Sequence, residues 1–157
     1  MEMNGSERIG APREAVYAAL NDPEILKQSL PGCQELEKVS DTEFTATIVV
    51  KVGVIKATFK MAGTLMDLMP PEGYTLRGEG KGGVAGFAKG SAQVRLEEDD
   101  EGTLLHYTVA ADIGGKLAQL GARLINSTAM KFASEFFGNF SRVVAGDSRE
   151  DTEQAVA

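Results

Sequence analysis

The stretch Ile55-Lys56-Ala57-Thr58-Phe59-Lys60-Met61-Ala62-Gly63-Thr64-Leu65 places Ile, Ala, Phe, Met, Gly and Leu at its odd positions and Lys or Thr at most of its even ones. A period of two is the signature of a strand with one face buried and the other wet. The pattern extends in both directions. Upstream, Phe44, Ala46, Ile48 and Val50 alternate with Glu43, Thr45 and Thr47. Downstream come Tyr74–Gly80, a strand through Ala88, Gly90, Ala92, Val94 and Leu96, and another through Leu105, Tyr107, Val109 and Ala111. Pro70-Pro71-Glu72-Gly73 and the acidic run Glu97–Glu101 before Gly102 are turns. With an edge strand in residues 1–10, the spacing predicts six or seven antiparallel strands joined as a meander.

Helical signals flank this sheet. Ala11–Leu20 is rich in Ala and Leu with Pro12 in its first turn, and Asp22 is placed to cap a second short helix that begins at Pro23 and ends by Pro31-Gly32. After Gly114-Gly115, residues 116–145 carry Leu117, Leu120, Leu124, Ile125, Thr128, Phe132, Phe136 and Val143 on one broad helical face. Gly146 is the expected stop, so residues 1–146 form one domain. Residues 147–157, acidic and nearly without apolar side chains, are expected to be a disordered tail. The fold class is therefore α+β: strand, two short helices, curved antiparallel sheet, long terminal helix.

One helix is about 10–12 Å wide, whereas six strands at about 4.8 Å span roughly 24 Å. The sheet must curl around the helix, and the curl tends to leave a hollow. Gly63, Gly78, Gly80, Ala88, Gly90, Ala92 and Ala111 put little side chain on the inner face, among Phe59, Met61, Leu65, Leu76, Tyr107 and Val109. Either these small residues create an apolar chamber, or they mark bends and bulges in a strongly coiled sheet. A glycine-rich hairpin over Gly78–Gly90, bearing Val84 and Phe87, is placed to gate such a chamber or to touch a membrane or partner.

Composition narrows the function. The 157 residues are 43% hydrophobic and 25% charged, with net charge −7. That balance suits a soluble globule and argues against phosphate-backbone binding. One cysteine and one histidine make neither an internal disulfide nor a conventional zinc site. The polar N-terminus has no signal-peptide core, and no apolar run is long enough to span a membrane. The expected location is cytoplasmic, with room for contact at the inner membrane surface.

The remaining motifs have structural explanations. Cys33 lies about 70 residues from His106, which is expected to point outward, so Cys33 reads as a filler behind the Pro31-Gly32 turn. Gly78-Glu79-Gly80-Lys81-Gly82-Gly83 satisfies G-x-G-x-x-G, but a strand rather than a helix follows, which removes the dinucleotide reading. Glu97–Glu101 lack the spacing of a calcium loop and read as a solvated tip. Lys116, Arg123, Lys131 and Arg142 against Glu135 make the terminal helix locally basic, which either neutralises the rest of the molecule or steers it toward anionic headgroups or an acidic partner. The assignable inner faces carry almost no acids for acid–base work, so no catalytic residue and no cofactor is assigned.

Leu30-Pro31-Gly32-Cys33 with Leu36-Glu37, then Gly90-x-Ala92-x-Val94-x-Leu96, form an ordered set with Gly102-Thr103-x-Leu105-x-Tyr107. Gly114-Gly115-x-Leu117-Ala118-x-Leu120-Gly121-x-Arg123-Leu124-Ile125 and Phe136-Phe137 complete it. Over residues 1–145 this set resembles the CoxG family of carbon monoxide dehydrogenase subunits, within the START-like, pollen-allergen-like (SRPBCC) superfamily of helix-grip folds. The resemblance implies a large internal cavity for a hydrophobic ligand. It also implies a role beside molybdenum-containing dehydrogenases, in membrane recruitment or quinone supply. Many relatives continue into a Pro-rich linker and an apolar anchor; here a short acidic tail stands in that place, so permanent attachment is not expected.

The expected activity is non-enzymatic binding of a quinone- or isoprenoid-like molecule. The alternative is a docking or assembly factor for the dehydrogenase whose cavity is incidental. A third reading, an enzyme like some superfamily members, requires a polar pair converging inside the pocket. The expected ligand-binding residues on the sheet are Phe59, Met61, Leu65, Leu76, Phe87, Ala92, Tyr107 and Val109. Those on the terminal segment are Leu117, Leu124, Ile125, Thr128, Phe132 and Phe136, with Tyr107 or Thr128 placed to hydrogen-bond a carbonyl head.

Overall fold

The computed structural model describes the backbone of residues 1–156 and the side chains of residues 1–145. Its elements in order are β1 (Glu2–Ile9), α1 (Arg13–Leu20), α2 (Pro23–Ser29), β2 (Cys33–Lys38), β3 (Glu43–Val52), β4 (Ile55–Met69) and β5 (Gly73–Lys81). A short 3-10 turn (Gly83–Ala85), β6 (Phe87–Asp99), β7 (Gly102–Gly114), a second 3-10 turn (Gly115–Leu120) and α3 (Ala122–Val156) follow. The strands form one antiparallel sheet of seven in the order β1-β7-β6-β5-β4-β3-β2. From β2 to β7 each strand pairs with its successor, and β1 returns to cover the free edge of β7.

The helical signals hold with three adjustments. Pro12 is the N-cap of α1 rather than a first-turn residue, and Asn21 closes that helix by donating from Nδ2 to the Tyr17 carbonyl. Asp22 caps α2 as its side chain type dictates, accepting from the Glu24 N–H at 2.9 Å, with Pro23 in the first turn. The single helix expected over residues 116–145 is broken. Gly121 adopts φ +95°, a conformation closed to an α-helix, and splits the segment into the 3-10 turn and α3. α3 continues through Gly146, the expected stop, and the acidic stretch 147–157 lies outside the residues whose side chains are described.

Two apolar cores hold the sheet. The first joins Ile9, Val16, Leu20, Leu65, Tyr74, Leu96 and Leu105 to Phe137 and Phe140 of α3. Polar ties reinforce it: the fully buried Thr103 hydroxyl donates to the Ala11 carbonyl at 2.7 Å, and Asn139 Nδ2 donates to the Ser29 carbonyl at 3.1 Å. The second core, at the opposite end of the strands, gathers Val52, Ala57, Phe59, Ala85 and Leu117. Among the described residues no helix is long and apolar enough to cross a membrane.

Candidate functional site

Register shows what the sequence pattern leaves open. Gly63 of β4 pairs with Gly78 of β5, Gly78 with Gly90 of β6, and Gly90 with Ala111 of β7. Four small residues therefore form one row straight across four strands, about 14 Å from end to end at the usual strand spacing. On one side of this row lie Met61, Gly80, Ala88 and Ile113; on the other lie Leu65, Leu76, Ala92 and Val109. The result is a trough crossing the inner face of the sheet, with taller apolar side chains as banks.

Not every glycine in the trough makes space. Neighbouring side chains lie over two of them: Leu76 Cδ1 stands 3.1 Å from where a Gly63 Cβ would be, and Met61 covers Gly80. Gly90 serves close backbone approach, since a Cβ there would collide with the Ala110 carbonyl oxygen. A Cβ on Gly78 would lie 3.3 Å from the Ala62 carbonyl oxygen, which leaves Ala92 and Ala111 as the floor. Close approach thus accounts for the glycines of the row and for Gly80.

Burial locates the hollow. A filled core would bury the middle of a seven-stranded sheet completely. Instead Met61, Gly63, Leu76, Gly78, Ala92, Val109 and Ala111 are all only half-buried, and so are Ile125, Thr128, Phe132 and Phe136 on the facing side of α3. The two closed cores lie beyond the ends of this stretch. A recess of about 330 Å³ lined by Ala111, Ile113, Ala118 and Ile125 together with the polar Asp112 and Asn126 opens at the β1/β7 side beneath the start of α3. A larger groove, about 430 Å³, lies on the opposite, outer face. Its lining combines the polar Glu35, Thr45, Thr47, Lys60, Glu79 and Lys81 with Leu36, Ala46 and the trough residue Met61.

The expected site residues divide accordingly. Met61, Leu76, Ala92 and Val109 share the trough, Ile125 joins Ala111 and Ile113 at the recess, and Thr128 and Phe132 are half-buried on α3. Phe59, Leu65 and Leu117 are buried in the end cores, and Leu124 packs against the second of them. Tyr107 stacks on Phe137 at 5.2 Å and Phe136 stacks on Phe140 at 5.6 Å, forming the wall where the trough meets the first core. Phe87 does not belong to this set. It is 47% exposed, on the face opposite Ala88, with its ring over Gly114. The gate expected over Gly78–Gly90 is also revised. Residues 78–81 and 87–90 are ladder strands, and the short connection between them plugs the second core through Ala85. The opening lies instead beside the first turn of α3.

Sequence reasoning missed Phe44 and Glu7. Phe44 ends the small-residue row, where its register with Gly63 places it; the alternation of β3 already pointed it inward. Glu7 shares the inner parity of Met3, Gly5 and Ile9, a signal hidden because residues 1–10 had no assigned phase. Burial, and secondarily the Glu7 charge, push the Tyr107 phenol above its usual range, so it stands as a neutral hydroxyl. That hydroxyl leans toward β1, 2.6 Å from where a Gly5 Cβ would sit.

Two arrangements resemble catalytic ones. Ser6 Oγ lies 3.0 Å from His106 Nδ1, and His106 Nε2 lies 2.9 Å from Glu97 Oε2. This chain of side chains sits on the outer face of the β1-β7-β6 ladder, where strand pairing already engages the backbone N–H groups that an oxyanion would need. Cys33, the first residue of β2, donates its thiol to the Glu35 carbonyl at 3.3 Å, and burial raises its pKa, the opposite of nucleophile activation. Among the described residues no His, Cys, Asp and Glu cluster could hold a metal ion. The acids Glu97–Asp99 form surface ion pairs with Arg95, Arg13 and Arg8 instead of pointing freely into solvent.

A seven-stranded antiparallel sheet with a long C-terminal helix and short helices is the architecture of the START-like, helix-grip proteins. A START superfamily protein from Mycobacterium smegmatis superposes with TM-score 0.71 at 9% identity, over 92% of this chain and 97% of that one. Ara h 8.0201 superposes with TM-score 0.63 at 16% identity, over 93% and 98%. The chain belongs to the CoxG family of carbon monoxide dehydrogenase subunits, whose model matches residues 5–145. A conserved protein from Geobacillus kaustophilus is similar at 31% identity and TM-score 0.87, over 93% of this chain and 96% of that one. Comparison with curated proteins finds no match.

Proposed function

We propose that this chain is a non-enzymatic carrier of an apolar, quinone- or isoprenoid-like molecule that serves a molybdenum-containing carbon monoxide dehydrogenase. The observation that supports the reading is the row Gly63-Gly78-Gly90-Ala111, half-exposed beneath Ile125, Thr128 and Phe132 in the middle of an otherwise closed fold. A flat head laid along this row would meet apolar banks on both sides. Each CH2 withdrawn from water contributes about 0.8 kcal/mol, so a prenyl tail supplies most of the affinity before ordering costs. Tyr107 and Thr128 are the hydroxyls nearest to act on a carbonyl head. The dehydrogenase link comes from family membership.

Organic extraction of the purified protein followed by mass spectrometry, with uptake of added ubiquinone and menaquinone analogues, tests this. One apolar molecule per chain, displaced by the added analogue, is the expected result. A protein that extracts empty and takes up no quinone overturns the carrier reading and leaves a docking factor with an incidental cavity.

A further inference from the structure

The open sheet has two free edges, β1 and β2, and they differ. On the β1 side the Ala111 N–H donates to the Met1 carbonyl at 2.9 Å, which makes Met1 and Ala111 a hydrogen-bonded pair. Bonded and non-bonded pairs alternate along an antiparallel ladder. Met3, Gly5, Glu7 and Ile9 therefore bond β7, and the backbone groups of Glu2, Asn4, Ser6 and Arg8 point to the open side. Among the described residues those backbone groups have no partner, and the four side chains are exposed on the outer face. A strand edge of this length without proline or lysine is a template for another strand.

A second copy fits this template. Two copies related by a two-fold axis normal to the sheet must centre their pairing on a residue, so that each face continues into the same face. The register centred on Gly5 is the one that engages all four open residues. It sets Glu2 opposite Arg8 and Asn4 opposite Ser6, each twice. Opposite charges and hydrogen-bonding side chains are the combinations that stabilise cross-strand neighbours. On the inner face Glu7 meets Met3 rather than another acid. Gly5 leaves the axis open for Tyr107, whose hydroxyl lies 2.6 Å from where a Gly5 Cβ would be, so the hydroxyls of the two copies stand side by side. The β2 edge lacks this match. Its outward residues are Glu35 and Glu37, and each register centred on them sets glutamate against glutamate.

α3 adds a contact on the same side. Phe137 and Phe140 turn one face of the helix into the first core, and on one flank Asn139 reaches Ser29 of α2. The other flank carries Asn126, Met130 and Ser134, one turn apart, and faces β1, since Asn126 shares the recess with Met1. Met130 is 63% exposed there, the one large apolar side chain that α3 leaves in water among the described residues.

We propose that two copies of this chain associate through antiparallel β1–β1 pairing centred on Gly5, with Met130 of each α3 covering the inner side of the seam. Two seven-stranded sheets then continue into one. The interface lies at the small end of the range for specific complexes, so association is concentration-dependent. The inference is independent of what the trough holds.

Sedimentation velocity of the full chain from about 1 to 300 µM tests it, with backbone amide exchange followed over the same range. A monomer–dimer equilibrium is expected, with exchange in β1 slowing as the dimer forms and exchange in β2 unchanged. Asn4→Pro removes an edge-facing N–H that the monomer does not use. It should weaken association about 30-fold, for two hydrogen bonds lost per dimer. Arg8→Glu sets like charges opposite at both ends and should weaken association about tenfold, and adding Glu2→Arg should restore it to within about threefold. Met130→Asp should also weaken it about tenfold. Met69→Asp, at an exposed methionine of β4, should leave it unchanged. The altered side chains are exposed, so melts of dilute protein should stay close to the parent's. If Asn4→Pro melts early, the Arg8→Glu reversal and its rescue decide. A chain that is monomeric throughout the range overturns the proposal, as does a dimer that Asn4→Pro and Arg8→Glu leave within about twofold. A dimer lost with Met130→Asp alone is a helix contact, and the strand pairing then falls.

Discussion

Replacing Ala92 by Phe asks directly whether the space above the middle of the sheet is empty. Ala92 lies half-buried on the inner face of β6, in register with Leu76 and Val109. A phenyl ring set there would withdraw about 100 Å² of apolar surface from water, roughly half of what a fully buried aromatic contributes, because the trough is open on one side. At about 25 cal/mol per Å² this is about 2.5 kcal/mol of stabilisation. Fixing the larger side chain costs about 0.5–1 kcal/mol. The ligand-free variant should therefore melt about 3–8 °C above the parent, given about 2–4 °C per kcal/mol for a domain of this size. It should also lose quinone uptake, because the ring occupies the floor.

A control one row away sharpens the test. Gly90→Ala adds only a methyl group, but its Cβ would strike the Ala110 carbonyl oxygen and lie 2.7 Å from Ala111 Cα. Forcing those strands apart should cost about 1–3 kcal/mol. Differential scanning fluorimetry on solvent-stripped protein measures both changes without the stabilisation that residual ligand would add. If Ala92→Phe destabilises as much as Gly90→Ala, the trough is already filled by the protein's own atoms and the argument for a cavity is wrong.

Other expectations concern the closed parts of the fold. Phe140→Ala, at a fully buried ring stacked on Phe136, should cost about 3–5 kcal/mol in urea unfolding. Thr103→Val keeps the shape but strands the Ala11 carbonyl, and the same titration should show a loss of about 1–3 kcal/mol. Burial, reinforced by Tyr17, raises the Tyr74 pKa far above its usual value. The folded state therefore holds this proton where the unfolded chain releases it, so stability is complete below about pH 10 and declines as pH rises further. Unfolding midpoints followed across that range should fall less steeply in Tyr74→Phe. Cys33, whose thiol pKa is raised, should react with a thiol reagent at neutral pH more slowly than a free cysteine, and rapid modification would contradict its packing.

The strands, their order and the inward parity of β3 to β7 were legible because a half-buried antiparallel strand writes its environment into every second residue. Phe44 through Val50 and Ile55 through Leu65 show this in the residues themselves. The alignment of Gly63, Gly78, Gly90 and Ala111 was not legible, because register depends on turn lengths and on the shift between Met66 and Met69, which no single strand encodes. Phe87 was misassigned for a related reason. Its bulk suggested a pocket wall, but the parity fixed by Ala88, Gly90 and Ala92 already turned it outward. The break at Gly121 was hidden by apolar spacing that reads equally well through a 3-10 turn. Glu7 escaped notice because β1 alternates polar and small residues too weakly to declare its phase.

A fold with a hollow at its centre must find its stability elsewhere, and the distribution of side chains shows where. Fully buried apolar side chains concentrate in the first core, which α1, α2 and the Tyr107-Phe137-Phe136-Phe140 aromatic series close around Leu96 and Leu105. A smaller core pins the opposite end through Phe59, Ala85 and Leu117. The trough residues between them are only half-buried, so stability constrains their identities less. Tyr107 and Phe136 are where the two demands meet, since each packs against the first core and also walls the trough. Substitutions there should change stability and uptake together, whereas those at Ala92 or Thr128 should separate the two. That separation is a physical consequence of curling seven strands around one helix: the ends close on side chains, and the middle stays half-exposed.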